Sequence, residues 1–187
     1  MTAYLGVLTL VTMIVLVLVR IRVLSGRGVT AMKFGATNKS DFLIPPFALL
    51  YLYLVCANAF EWPAPAHLSI DRVWLEWVGV ASCAIAVGGM IASLISFGTS
   101  FRVGIDTEKP DKLITTGIFA FSRNPIYVAF GFMLVGQFLI GPQWILLIYV
   151  VVGFALFHRQ VLREEVFLRE HYGAEYEAYS RKVWRYL

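Results

Sequence analysis

The sequence predicts an all-α integral membrane protein: a bundle of about five transmembrane helices, including a short helical hairpin over residues 126–157, followed by a cytoplasmic C-terminal helix. Three observations carry that prediction. The chain has 187 residues, of which 59% are hydrophobic, and its mean hydropathy is +0.72. Its apolar residues fall in continuous blocks. Within lipid only helices and closed barrels satisfy the backbone, and barrel strands alternate where these blocks do not. The basic residues also alternate between loops. Five lie from Arg20 to Lys39, four from Arg102 to Arg123 and six after Phe157, while the opposite side holds only Arg72. With five spans that asymmetry puts the N-terminus outside and the C-terminal tail in the cytoplasm. The net charge of +4 is thus a topology signal and calls for no nucleic-acid partner. Anionic lipid headgroups are the natural contact of such loops.

The first block, Ala3–Val19, is long enough to cross a hydrocarbon core of about 30 Å. No basic residue precedes it and no small-residue cleavage site follows, so it reads as a retained helix and not a signal peptide. The second block, Phe42–Phe60, carries Pro45 and Pro46 near its start, where a first turn tolerates proline. The third, Val73–Phe97, places Ala84, Gly88, Ala92 and Ser96 at four-residue intervals. A small-residue ridge of this kind lets helices approach closely, which suits packing within the chain and also a homodimer contact. Glu76, one turn into this block, is expected to snorkel to the headgroups. Ile126–Ile140 and Trp144–Phe157, separated only by GPQ, form the hairpin. Cys56 and Cys83 lie inside apolar blocks and read as small packing residues, with no metal-ligand spacing around them.

Residues 1–97 therefore look like a scaffold of three helices, and residues 98–187 like the chemistry-bearing part of a single domain. Polar residues gather between Ser96 and Tyr127 and again after His158, and both groups lie on one face of the membrane. On a helix through His158–Tyr172, Val161, Leu168 and Tyr172 fall within about 40° of one another at 100° per residue, with Glu165 among them and Glu164 about 100° away. A carboxylate on an apolar stripe is costly unless paired. Two readings fit Glu165: a structural ion pair with an arginine such as Arg123 or Arg163, or a site residue.

Arg123-Asn124-Pro125 opens the fourth span. Proline suits the first turn of a helix, and Asn124 can cap free backbone donors. The bland reading is a capped helix with an interfacial arginine. The functional one notes Tyr127 just after and Thr115-Thr116-Gly117 just before. Hydroxyls, a guanidinium and a helix N-terminus together suit an anion.

LITTGIFAFSRNPIY, ending at Tyr127, resembles a segment of the isoprenylcysteine carboxyl methyltransferase and phospholipid methyltransferase superfamily, in which Thr/Ser-Gly-x-Tyr/Phe leads to Arg-His-Pro-x-Tyr or Arg-Asn-Pro-x-Tyr. REEVFLREHYGAEYEAYSRKV, starting at Arg163, resembles that superfamily's second motif, two glutamates followed by Gly-x-x-Tyr-x-x-Tyr. The resemblance covers roughly Ser96–Val183. It implies a prokaryotic-type integral membrane methyltransferase, in a bacterial or archaeal inner membrane. Its cofactor would be S-adenosylmethionine, held on the cytoplasmic side, and a lipophilic or lipid acceptor would enter from the bilayer.

Carried over by position, the resemblance gives Arg123, Asn124, Pro125, Tyr127, Glu164, Glu165 and Tyr176 as cofactor-site residues. Thr116 and Gly117 would shape the entrance, and Glu165, Arg123 and Tyr127 would be central to catalysis. No metal is implied. Asn124 stands where eukaryotic carboxyl methyltransferases show histidine, and an amide cannot carry charge. The chain also ends at KVWRYL without the proline that often follows in relatives. Both departures bear on the acceptor more than on the cofactor. The alternatives are an NADPH-dependent membrane reductase related to sterol reductases, for which the chain is short, and a non-enzymatic scaffold. The G-x-G-x-x-G of soluble dinucleotide-type folds is missing.

Overall fold

The computed structural model describes residues 1–25, 44–64, 68, 73–97 and 113–187. Arg72, the basic residues from Arg27 to Lys39 and from Arg102 to Lys112, and most of the polar connection after Phe97 lie outside the described residues. Those that are described form α-helices and one 3-10 turn: α1 (Thr2–Ser25), α2 (Ile44–Phe60), α3 (Val73–Phe97), the 3-10 turn (Gly117–Ala120), α4 (Pro125–Ile140), α5 (Trp144–Tyr172) and α6 (Ala174–Ser180).

Each apolar block became a helix. α1, α3 and α5 are long and apolar enough to cross a membrane, and α2 and α4 contribute shorter apolar stretches. Pro45 and Pro46 sit in the first turn of α2, where their missing N–H groups cost nothing. One element differs from expectation. The charged helix from His158 is no separate cytoplasmic helix; it continues α5 without a break to Tyr172. The hydrophobic pattern changes at Phe157, but the residues on both sides are good helix formers, so nothing stops the backbone there.

The core is the α3–α4 seam, joined by α1. Cys83, Ala86 and Met90 from α3 meet Ala129, Met133 and Ile140 from α4, with Leu10 and Met13 of α1 and Val55 of α2 closing the cluster. Gly79 and Gly136 set the spacing. A Cβ on Gly79 would lie 2.6 Å from the Gly136 carbonyl, and one on Gly136 would lie 2.5 Å from Cys83 Sγ. Ser82 Oγ donates to the Phe132 carbonyl at 2.8 Å across the same seam.

The close approach therefore runs along Gly79, Cys83 and Ala86, and the Ala84–Ser96 ridge does not provide it. Ala84 and Gly88 are exposed, and a Cβ on Gly88 would meet nothing within 4 Å. The buried positions Gly79, Ser82, Cys83, Ala86, Met90 and Ser93 follow the mixed three- and four-residue spacing of one helix face, and a strict four-residue repeat drifts away from it. Polar contacts tie α1 to the seam. Gln137 Nε2 donates to the Gly6 carbonyl at 2.7 Å. Glu76 does not simply snorkel: its carboxylate accepts a hydrogen bond from the Thr2 hydroxyl.

Candidate functional site

Gly173 brings the two polar motifs together. It ends α5 at φ 51° and ψ −123°, a conformation open to glycine, and turns the chain into α6. Tyr176 and Tyr179, one helical turn apart, are then buried on one side of α6. Tyr179 donates to the Phe119 carbonyl in the 3-10 turn at 2.7 Å. The Tyr176 hydroxyl accepts from Arg123 Nη1 at 3.4 Å. The Gly-x-x-Tyr-x-x-Tyr spacing is thus a docking device between the second motif and the first. Burial, with the neighbouring Tyr176, pushes the Tyr179 phenol up to about 12, so it stays a donor at physiological pH.

Gly117 does comparable work on the other side. It adopts φ 64°, and a Cβ there would fall 2.2 Å from Ser96 Oγ. That hydroxyl donates to the Ala92 carbonyl at 2.8 Å and accepts from Ile118 N at 3.2 Å. The Thr-Thr-Gly stretch is thereby seated on the end of α3, with Thr116 exposed and its side chain making no cap.

Glu165 faces inward and is among the most buried charged residues, at 3% exposure. Its carboxylate meets Arg123 Nη1 at 3.3 Å. The stronger partner is Arg185, which reaches Oε1 through Nε at 3.0 Å and Oε2 through Nη2 at 2.8 Å. Arg163, named from sequence as a partner, is exposed and takes no part in these contacts. The hydrogen bond to Glu165 holds the Arg185 guanidinium above its ordinary range, so its charge persists.

The C-terminal strand of chain is part of the same construction. Arg123 N donates to the Trp184 carbonyl at 3.0 Å, and Ser122 and Trp184 form a parallel β-bridge. Asn124 Nδ2 donates to the Arg185 carbonyl at 3.0 Å. This corrects the expected capping role: Asn124 precedes α4 but makes no side-chain cap, and holds the tail instead. Pro125 occupies the first turn as expected.

A second pair lies on the other side of the Glu164-Glu165 step. The Tyr127 hydroxyl donates to Glu164 Oε1 at 2.6 Å, and Gln160 Nε2 donates to the same oxygen at 3.0 Å. Among the described residues no cation pairs with Glu164. The Tyr127 ring lies 5.8 Å from Phe157, which also neighbours Phe130. The structure thus brings Arg123, Glu165 and Tyr176 together, and separately Tyr127 with Glu164.

Arg185 is the residue that the sequence did not single out. It belongs to no motif, and only its position in a basic tail hinted at a carboxylate partner. Arg123 Nε is buried and, among the described residues, has no hydrogen-bond partner. A buried guanidinium with spare donors beside an uncapped helix N-terminus is chemically suited to an anionic group. A carboxylate with no paired cation, beside aromatic rings, is suited to a positive one.

A family model described as phospholipid methyltransferase matches residues 74–175. The chain is also similar to protein-S-isoprenylcysteine O-methyltransferase of Xenopus laevis, 24% identical over 161 residues, covering 83% of this chain and 56% of that protein. A probable protein-S-isoprenylcysteine O-methyltransferase of Oryza sativa subsp. indica is 31% identical over 120 residues, covering 61% of this chain and 62% of the relative. The Schizosaccharomyces pombe protein of that name is 33% identical over 95 residues, 49% of this chain and 40% of its own length. The chain therefore spans 40% to 62% of the length of these relatives.

Proposed function

The chain belongs to the phospholipid methyltransferase family, and from that premise we propose that it transfers a methyl group from S-adenosylmethionine to a lipophilic acceptor at the cytoplasmic face of the membrane. The names of the relatives favour an isoprenylcysteine-like carboxylate as acceptor. The observation that carries the reading is the convergence of both motifs on one ion cluster, Arg123, Glu165 and Arg185, with a buried Arg123 nitrogen left over.

When bound, the cofactor supplies a methyl group on a positively charged sulfur. The residues fit its two ends. Arg123 and the first amides of α4 would hold the carboxylate. Glu164 would face the positive end, with its orientation fixed by the Tyr127 hydroxyl and Gln160. Tyr127, Phe157 and Phe130 present an aromatic wall that excludes water. Methyl transfer is an in-line displacement, so alignment and dryness are the main demands on the protein. A carboxylate acceptor needs no general base.

The same reading has five spans with the N-terminus outside. α4 has 16 residues and rises about 24 Å, less than a hydrocarbon core of about 30 Å. Arg123, just before α4, then lies at the inner boundary of the core, within reach of a lipid-borne acceptor.

The test is thermal unfolding of the detergent-purified protein with S-adenosylhomocysteine and, in parallel, with NADPH. A hundredfold excess over Kd stabilises a folded protein by about 2.7 kcal/mol. A rise with the adenosyl ligand alone, lost in Arg123→Ala, is the expected result. A rise with NADPH alone would replace this reading with a reductase.

A further inference from the structure

Arg185 lies beyond residue 175, where the family match ends, yet it makes the closest contacts in the cluster. Two guanidinium groups surround one carboxylate, so a positive charge is left over. The geometry says where. Arg185 engages both oxygens of Glu165, at 3.0 and 2.8 Å. Arg123 touches one oxygen at 3.3 Å, shares that nitrogen with Tyr176 at 3.4 Å and keeps a buried Nε with no partner among the described residues. A two-pronged guanidinium–carboxylate contact is the stronger geometry. The carboxylate is therefore satisfied mainly by Arg185, and the surplus charge and donor belong to Arg123.

Remove Arg185, and the Glu165 side chain, 4% exposed, must draw its compensation from Arg123 alone. An uncompensated buried carboxylate is costly enough to reorient a neighbouring guanidinium. We propose that Arg185 is a positioning residue: it neutralises Glu165 and so reserves Arg123 for a carboxylate on the ligand. The tail is registered for this task by the residues it serves. Arg123 N holds the Trp184 carbonyl and Asn124 holds the Arg185 carbonyl, both at 3.0 Å. The inference rests on the methyltransferase reading, in which that carboxylate belongs to the adenosyl cofactor.

The experiment compares S-adenosylhomocysteine with 5′-methylthioadenosine, which lacks the amino-acid end, carboxylate and ammonium together. Binding to the full chain in detergent is measured for the wild type, Arg185→Ala, Arg185→Lys, Glu165→Gln and the Glu165→Gln/Arg185→Ala double variant. Arg185→Ala should weaken S-adenosylhomocysteine roughly tenfold, the scale of one lost charge-assisted contact, and leave methylthioadenosine unchanged. Arg185→Lys should fall between. In the Glu165→Gln background the Arg185 change should matter little, because a neutral amide no longer claims Arg123. That coupling is the signature a double-mutant cycle detects. Hydrogen exchange of the ligand-free Arg185→Ala protein should show α3 and α4 as protected as in the wild type.

Equal weakening for both ligands, an equal effect in both backgrounds or loss of α3–α4 protection overturns the proposal, since Arg185 would then be a general structural residue. A wild type that binds methylthioadenosine and S-adenosylhomocysteine normally, with variants that match it, overturns this inference alone. A wild type that binds neither overturns the methyltransferase reading, and the inference with it.

Discussion

Glu164 and Glu165 are neighbours with different environments. Glu165 is enclosed by two arginines, and its removal leaves the largely buried Arg123 and the partly exposed Arg185 without their carboxylate. Breaking a buried pair in this way costs about 3–5 kcal/mol. Glu165→Ala is therefore expected to lower unfolding stability by about 3 kcal/mol while also damaging the ligand site. Among the described residues, Glu164 is held by hydrogen bonds from Tyr127 and Gln160 and by no cation. Glutamine at that position keeps an oxygen for both donors, so Glu164→Gln should change stability by less than about 1 kcal/mol. Its loss should appear in binding of the cationic cofactor. Urea unfolding and titration with S-adenosylmethionine, whose sulfur carries the charge, read the contrast on both variants. Equal stability losses would mean that Glu164 is a structural residue and that the division of labour is wrong.

At the scale of elements, the break at Gly173 joins the membrane-spanning half to the site. α5 alone would carry the second motif straight on; the φ 51°, ψ −123° turn folds α6 back so that Tyr176 and Tyr179 reach Arg123 and Phe119. A Cβ at Gly173 would meet no neighbour, so Gly173→Ala is a test of backbone conformation alone. Forcing a non-glycine residue into such a region costs about 1–3 kcal/mol. The expected result is faster hydrogen exchange in α6 and the tail with α3 and α4 unchanged. Uniform protection across the molecule would show that the turn is not what holds α6 in place.

The same elements show what could be read beforehand. The helices were legible because continuous apolar runs satisfy their backbone in that form, and the inward aim of Glu165 followed from 100° per residue. The tail's contribution was not. A β-bridge between Ser122 and Trp184 and a fork from Arg185 depend on where the chain returns after Gly173, and no local pattern encodes that path. The role of Asn124 was hidden for the same reason: its amide nitrogen donates to the tail carbonyl of Arg185, a partner that no local pattern supplies.

For the whole molecule the governing quantity is depth. The aromatic residues Trp62, Trp74, Trp77 and Trp144 are exposed at the end of α2 and the starts of α3 and α5, which the helix connectivity brings to one end of the bundle. Trp and Tyr gather at membrane interfaces, so this end marks one boundary. From Trp144 to Glu165 α5 rises about 32 Å, close to the thickness of a hydrocarbon core, with exposed Val151 and Phe154 along its apolar half and exposed Arg159 and Arg163 toward the cluster. On the five-span reading proposed above, the ion cluster would stand at the opposite boundary, where a water-soluble donor and a lipid-borne acceptor could both arrive. If five helices cross, Trp62 and Trp184 lie on opposite sides. With Cys56 and Cys83 replaced, single cysteines at those two exposed positions should react with an impermeant maleimide from opposite faces of sealed vesicles, position 184 from the cytoplasmic face. Labelling of both from one face would mean that an even number of α3, α4 and α5 cross. The cluster would then share a compartment with the Trp62 end, and a lipid-interface methyl transfer on the cytoplasmic side would lose its geometric basis.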